Sequence, residues 1–297
     1  MNRYGFEGRV AVVTGGGRGI GRAYALLLAE RGAKVVVNDL GGSMGGEGAD
    51  SGPASAVVAE ILALGGEATA DGHDVSTQEG GEAIIGTAIE RFGRIDALVC
   101  NAGIIRYGAL PEVSPDDLQR HLAVHLLGSF TTVRAAWPYF VEQGYGRIVL
   151  TTSSGLLGLP ANLSYASAKA GLIGLARSAR LAGAPHGIKI NLIAPAAMTR
   201  MAGGAADDSA MPSQAVAPMA AYLAHEDCPV SGEIYTAGAG RFARLFIAST
   251  EGYLHQDGPA SIEDVAGHWD AINDEKGYFV PEDLMAWSRV FLGHMPG

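Results

Sequence analysis

Cysteine is nearly missing from this chain: only Cys100 and Cys228 occur in 297 residues, and they stand far apart. Two distant thiols exclude a disulfide framework and a zinc site built on cysteine, so a reducing cytoplasm is the expected compartment. Basic residues are also scarce, with 21 Lys and Arg against 31 Asp and Glu for a net charge of -10. That is the wrong sign for a nucleic-acid footprint, and no nucleic-acid partner is expected. No run approaches the roughly 18 apolar residues of a membrane span, and the opening MNRYGFEGRV has no apolar stretch of the secretory kind. The final HMPG does not match a Ser-Lys-Leu peroxisomal address. No segment repeats. What is plentiful is glycine, 43 residues, about twice the usual share. With 48% hydrophobic residues and no collagen period, that abundance predicts a globular domain rich in tight turns and close backbone approaches.

Short β-branched runs alternate with helical stretches. RVAVVT (residues 9–14) breaks at Gly15, IGRAYALLLAERG reads as a helix closed by Gly32, and KVVVND (34–39) is a second strand. PASAVVAEILALGG carries Pro53 in its first turn and Gly65 at its end, the asymmetry helices favour. Further strands are expected over 67–71, 94–100, 146–152, 188–194 and 232–238. Strands without polar alternation, each followed by a helix, imply a parallel sheet covered on both faces. Residues 1–240 are therefore expected to form a Rossmann-like, doubly wound α/β domain. Residues 241–297 are expected to be a short helical C-terminal extension packed on it. SIEDVAGHWDAIN opens with a capping-box pattern at Ser261 and Asp264, and PEDLMAWSRVFLG runs from Pro281 to Gly293. GGSMGGEGADSGP (41–53) reads as a flexible loop.

TGGGRGIG (14–21) falls between the first strand and the first helix. Glycines at 15, 19 and 21 let a pyrophosphate approach the backbone at a helix N-terminus, where free N–H groups and the dipole favour an anion. Asp39 ends the second strand about twenty residues on, where a carboxylate accepts bonds from both adenosine-ribose hydroxyls and repels a 2′-phosphate. No arginine follows it; the next residues are Leu40, Gly41 and Gly42. Those features favour NAD over NADP. Downstream, LTTSSGLLGLPANLSYASAK (150–169) places seven hydroxyl side chains in twenty residues. Tyr165 and Lys169 are four apart and share a helix face. A phenol with its ordinary pKa of about 10 is a poor proton carrier near neutrality, and a nearby ammonium stabilises the phenolate.

With these motifs in this order, the chain resembles the classical short-chain dehydrogenase/reductase family over roughly residues 6–240. The resemblance rests on TGGGRGIG, Asp74–Val75, NAG at 101–103, the hydroxyl cluster, YASAK and the stretch 195–199. It implies an NAD-dependent oxidoreductase interconverting a secondary alcohol and a ketone. By that resemblance Tyr165 is the catalytic acid/base, Lys169 binds the nicotinamide ribose and lowers the tyrosine pKa, and a strand-end hydroxyl polarises the substrate oxygen. Gly15, Arg18, Gly19 and Ile20 belong to the phosphate turn, Asp74 and Val75 hold the adenine, Asn101 supports the cofactor, and Ile193 and Thr199 approach the nicotinamide. VVVNDLGG, VHLLGSF, RAAW, YGRIV, HEDC and AGAGR are similar to the (3R)-hydroxyacyl-CoA dehydrogenase unit of the peroxisomal multifunctional β-oxidation enzymes and their bacterial single-domain relatives. A 3-hydroxyacyl-CoA is thereby the first substrate expected, a hydroxysteroid or other bulky secondary alcohol the second. A different class, a dinucleotide-binding protein without turnover, is disfavoured by the intact Tyr165–Lys169 pair. The family and long apolar helices such as 163–183 imply a homodimer or homotetramer.

Three positions depart from the family pattern. Counted back from Tyr165, the oxygen-holding hydroxyl falls on Thr152; counted forward from the strand GRIVL, it falls on Ser153. The strand is taken as the better ruler, giving Ser153. His125 stands where the family has a proton-relay asparagine, and Ala196 replaces a glycine after Pro195. His121 and His125 have the spacing of a zinc helix, but Leu122 stands where a metalloprotease has its Glu, so no metal is expected. Met198, Met201, Met211 and Met219 are candidates for an apolar substrate lid. Arg106, Arg200, Arg241 and Arg244 are candidates for meeting the phosphates of a CoA ester.

Overall fold

The computed structural model describes residues 4–202 and 210–295. Five β-branched or apolar runs become the strands Val10–Thr14 (β1), Lys34–Asn38 (β2), Ala97–Cys100 (β4), Gly146–Thr151 (β5) and Ile188–Pro195 (β6). Glu67–Asp71 (β3) and Ile234–Gly238 (β7) complete a parallel set, and with an eighth strand, Arg241–Leu245 (β8), the sheet order is β3-β2-β1-β4-β5-β6-β7-β8. The side chains of β1, β4 and β5 are buried along their whole length, which is why their sequences show no polar alternation. The chain crosses from β3 back past β1 to β4, so the sheet reverses its winding there, and the carboxyl ends of β1 and β4 open the crevice such folds use for ligands.

Helices cover both faces, and their ends follow local chemistry. Gly19–Glu30 (α1) follows the glycine turn. Gly52–Ala63 (α2) has Pro53 in its first turn. Gln78–Phe92 (α3) is capped by the Thr77 hydroxyl, which accepts from the Gly80 N–H, and ends at Gly93 in the left-handed region. Pro115–His121 (α4) is capped by Ser114 and runs into a π-helical segment, Leu122–Leu127, before Gly128–Gln143 (α5). Leu163–Gly183 (α6) and Ala217–Ala224 (α7) close the layers. On one face, Ala11, Val13, Val35, Val37 and Val99 form a continuous core with Tyr24 and Leu28 of α1 and Leu223 of α7. A fully buried Val or Leu contributes about 1.5–3 kcal/mol, so this layer holds the sheet edge in place.

The eighth strand was not expected. Ala239 and Gly240, at φ 48° and 74°, form a two-residue turn after β7. Its sequence RFARL is exposed apart from half-buried Leu245, so it lacks the apolar pattern by which the other strands are read. Contacts divide the chain into residues 1–244 and 245–297. The second unit contains three short helices, Ile262–Gly267 (α8), Trp269–Ile272 (α9) and Leu284–Phe291 (α10). Ser261 and Asp264 form the expected capping box. The last helix starts later than Pro281, at an Asp283 cap whose carboxylate accepts from the Ala286 N–H at 2.7 Å. Among its described residues none is buried.

Candidate active site

The glycine turn is bolted to the end of β4. Thr14 Oγ1 accepts from the N–H groups of Asn101 and Ala102 at 3.0 and 3.1 Å. The Asn101 side chain donates to the carbonyls of Thr14 and Gly15 at 3.2 and 3.1 Å, so Asn101 fixes the turn. Gly21 is needed at this crossing: a Cβ there would sit 2.0 Å from the Gly15 carbonyl oxygen. Asp39 accepts from the Gly17 N–H at 2.9 Å and the Gly41 N–H at 2.7 Å, which orients its carboxylate beside the N-terminus of α1.

A crevice of about 320 Å³ opens at these elements, and nine predicted residues line it: Gly15, Arg18, Gly19, Ile20, Asp39, Asp74, Val75, Asn101 and Thr199. Ile193 is not on its wall. Its side chain is fully buried in the core cluster and its carbonyl accepts from the Thr152 N–H at 2.8 Å. The shape and donors fit a dinucleotide: a helix N-terminus without side chains in the way, a carboxylate at the end of β2, and the apolar Val75 opposite.

Sequence reasoning missed the support beneath the adenine side. Asp71, at the end of β3, accepts from Asn38 Nδ2 at 2.7 Å, from the His73 N–H at 3.0 Å and from Thr87 Oγ1 at 2.7 Å, with His73 Nδ1 at 2.9 Å. Burial alone would raise its pKa, but the bonds from His73, Thr87 and Asn38 outweigh burial and hold it below the ordinary carboxylate value. This network shapes the bend that presents Asp74 and Val75. An isolated Asp in ATADGHD carries no local signal of four partners.

The hydroxyl cluster separates into distinct environments. Thr152 is fully buried and its Oγ1 donates to the Lys169 carbonyl at 2.8 Å, tying β5 to α6. Ser153 instead lies near half-buried Tyr165, and its Oγ accepts from the Gly155 N–H at 3.0 Å. Ser154 and Ser167 are exposed, whereas Thr151 and Ser164 are buried. Lys169 is buried; its Nζ donates to the Thr151 carbonyl at 2.7 Å and lies 5.5 Å from the Tyr165 ring centre. Burial pushes its pKa down to about 7. Tyr165 moves the other way from the expected lowering by Lys169: burial raises it, and the nearby Ser153 hydroxyl opposes that rise. The ammonium is aimed at a carbonyl of β5 and is itself destabilised by burial, so it does not hold the phenol down in this state.

The π-helical segment brings two imidazoles against the tyrosine. His121 and His125 stack at 5.9 Å, and His125 meets the Tyr165 ring edge-on at 5.2 Å. His121 Nδ1 donates to the Asp117 carbonyl at 2.7 Å while its Nε2 accepts from the Arg106 N–H at 3.2 Å. His125 Nε2 faces the Ile104 backbone: one tautomer donates to its carbonyl at 2.9 Å and the other accepts from its N–H at 3.2 Å. Burial, then the nearby Lys169 charge, keeps His125 well below its usual pKa; burial also lowers His121. Both rings are neutral near pH 7.

The candidate lid and arginines are partly redistributed. Met201 lines the crevice and its carbonyl accepts from the Tyr107 hydroxyl at 3.0 Å, and Met198 N–H donates to the Met211 carbonyl at 2.8 Å. Met219 packs against the core on α7, so it does not belong to a lid. Residues 203–209 of that stretch lie outside the described residues. Arg200 lines the crevice, but Arg106 is paired with Glu47 and Asp117, and Arg244 with Glu233.

A family profile described as short chain dehydrogenase matches residues 9–209. The chain belongs to the short-chain dehydrogenase family. It is 44% identical over 277 residues to a Mycobacterium tuberculosis protein named as a short-chain type dehydrogenase/reductase, covering 92% of this chain and 96% of that one. It is 45% identical over 276 residues to the peroxisomal multifunctional enzyme type 2 of Drosophila melanogaster, covering 91% of this chain but only 46% of that enzyme. Among solved structures, a 7α-hydroxysteroid dehydrogenase complexed with NADH and 7-oxo glycochenodeoxycholic acid superposes with a TM-score of 0.72 at 28% identity, covering 81% of this chain and 97% of that one.

Proposed function

We propose that the chain is an NAD-dependent dehydrogenase of secondary alcohols whose first substrate class is the 3-hydroxyacyl-CoA esters. The observation that carries this reading is that Ser153, Tyr165 and Lys169 gather past the carboxyl end of β5, on the side of the parallel sheet where the crevice with Asp39 opens past β1, β2 and β4. Likeness to the peroxisomal multifunctional enzyme supports the substrate class. A nicotinamide dinucleotide held by the glycine turn, Asp39, Asp74, Val75 and Thr199 would supply the hydride acceptor. Ser153 donates to the substrate oxygen and orients it. Tyr165 takes the hydroxyl proton as the carbonyl forms. Lys169 would contact the ribose and, when protonated, would favour the phenolate. Neutral His125 buttresses the tyrosine ring, in the place where the family pattern has an asparagine.

The test is oxidation of a 3-hydroxyacyl-CoA, a hydroxysteroid and simple secondary alcohols with NAD and with NADP. The expected result is the highest kcat/KM for the acyl-CoA with NAD. Preference for the steroid would replace the substrate class, and equal rates with the two cofactors would remove the NAD assignment. Asp39→Ala is expected to narrow the NAD preference, chiefly by relieving repulsion of the 2′-phosphate.

Self-association as a homodimer or homotetramer, in the cytoplasm, is part of the same reading. Ile85, Phe130, Val133, Trp137, Leu175 and Ala179 line an apolar groove across α3, α5 and α6. In residues 245–295, Trp269, Leu284 and Phe291 are more than half exposed. Surface of this kind is covered in an oligomer. Sedimentation at micromolar concentration is expected to give a dimer or tetramer; a monomer alone would contradict it.

A further inference from the structure

The glycine-rich stretch after Asp39 is a built turn. The Asp50 N–H donates to the Leu40 carbonyl at 2.9 Å and closes its neck. Inside, the Ser43 N–H donates to the Glu47 carbonyl at 2.7 Å, and the Ser43 hydroxyl donates to the Glu47 carboxylate at 2.7 Å. Its tip is held from the substrate side: Arg106 Nε donates to the Gly45 carbonyl at 2.9 Å, Arg120 Nη2 to the Gly46 carbonyl at 3.0 Å, and the Ile105 N–H to the Met44 carbonyl at 3.0 Å.

Its base is held by Arg18, whose Nη1 and Nη2 donate to the carbonyls of Gly42 and Gly41, each at 3.0 Å. Arg18 is the cation of the phosphate turn. It follows Gly17, whose N–H sits on the Asp39 carboxylate, and both Arg18 and Asp39 line the crevice. A guanidinium in that position is the group that would grip a 2′-phosphate, because its planar fork matches two phosphate oxygens. Here two consecutive backbone carbonyls take the fork.

We infer that the turn 41–50 is a second cofactor-selectivity element: it withholds Arg18 from the adenosine ribose, so that NADP meets the Asp39 charge without a compensating cation. The inference rests on the NAD reading above. Asp39 supplies the repulsion and the turn removes the attraction. The arrangement depends on Gly41, which has φ +80° and where a Cβ would stand 1.8 Å from the Asp50 carbonyl oxygen. An alanine there forces the neck open and shifts both carbonyls that hold Arg18.

Equilibrium titration of the full chain with NAD and with NADP, followed by calorimetry, tests this in the Asp39→Ala background. Adding Arg18→Ala is expected to leave the NADP-to-NAD affinity ratio within about twofold, since the guanidinium is not on the phosphate. Adding Gly41→Ala instead is expected to raise that ratio by about tenfold, the worth of one charge-assisted bond, and Arg18→Ala is expected to abolish the rise. Arg18→Lys is a second arm that leaves the turn sequence intact. A single ammonium cannot hold both carbonyls as a fork does, so it becomes free for phosphate and the ratio rises. A tenfold loss of relative NADP affinity on adding Arg18→Ala would overturn the inference, as would an unchanged ratio in Arg18→Lys. Equal affinities in the wild-type chain would instead defeat the NAD assignment, and that is visible before any variant is made.

Discussion

Tyr165→Phe is expected to lower kcat by at least 10²–10⁴-fold, the range for a lost general acid or base, while the NAD dissociation constant changes little. The ring remains, so the edge-on contact with His125 is retained; only the exchangeable proton is removed. Burial raises the Tyr165 pKa in the free protein and burial lowers Lys169 to about 7. Near neutrality the unliganded pair is therefore a neutral phenol beside a partly deprotonated amine. For oxidation the phenol must lose its proton, and burial moves that ionisation above the ordinary range. Alcohol oxidation in the wild type is accordingly expected to rise with pH as the phenol ionises, and that limb is expected to vanish from the residual rate of Tyr165→Phe. A residual rate that keeps the limb would assign the proton transfer to another group.

The strands were legible where burial dictates composition: RVAVVT, KVVVND and GRIVLT are apolar because both faces are covered. RFARL, an exposed edge, had no such pattern. The phosphate turn was legible because glycine is the residue that tolerates the Gly15–Gly21 crossing. Other parts depend on contacts far apart in sequence. Asp71 gathers partners from three elements, Ile193 and Met219 are consigned to the core, and the π-helical segment that stacks His121 on His125 follows from the surroundings of α4 and α5. The turn 41–50 reads as low complexity, yet it is tied at both ends by arginines distant in sequence. Glycine content reports freedom of the chain alone; what constrains it here are side chains elsewhere.

The same distinction decides between the two strand-end hydroxyls. Counting residues leaves Thr152 and Ser153 open, whereas their partners differ in kind. Thr152 Oγ1 is fully buried and committed to the Lys169 carbonyl at 2.8 Å, so its hydroxyl cannot also reach a substrate without breaking that bond. Ser153 is half-buried beside the Tyr165 phenol, and its Oγ only accepts, from the Gly155 N–H, so its O–H can turn to a reacting oxygen. Ser153→Ala is therefore expected to lower kcat by about 10²–10³-fold, as for a lost donor to a developing oxyanion, with the melting temperature nearly unchanged. Thr152→Val keeps the shape and removes one buried hydrogen bond, a loss of about 0.5–1.5 kcal/mol, since the Lys169 carbonyl keeps its partner within α6. Its expected signature is inverted: a melting temperature a few degrees lower, at roughly 2–4 °C per kcal/mol for a domain of this size, with kcat within about tenfold of the wild type. Steady-state kinetics and thermal melts on the two variants separate the roles. Turnover abolished in Thr152→Val but intact in Ser153→Ala would show that the spacing from the tyrosine, and not the end of the strand, marks the oxygen-holding residue.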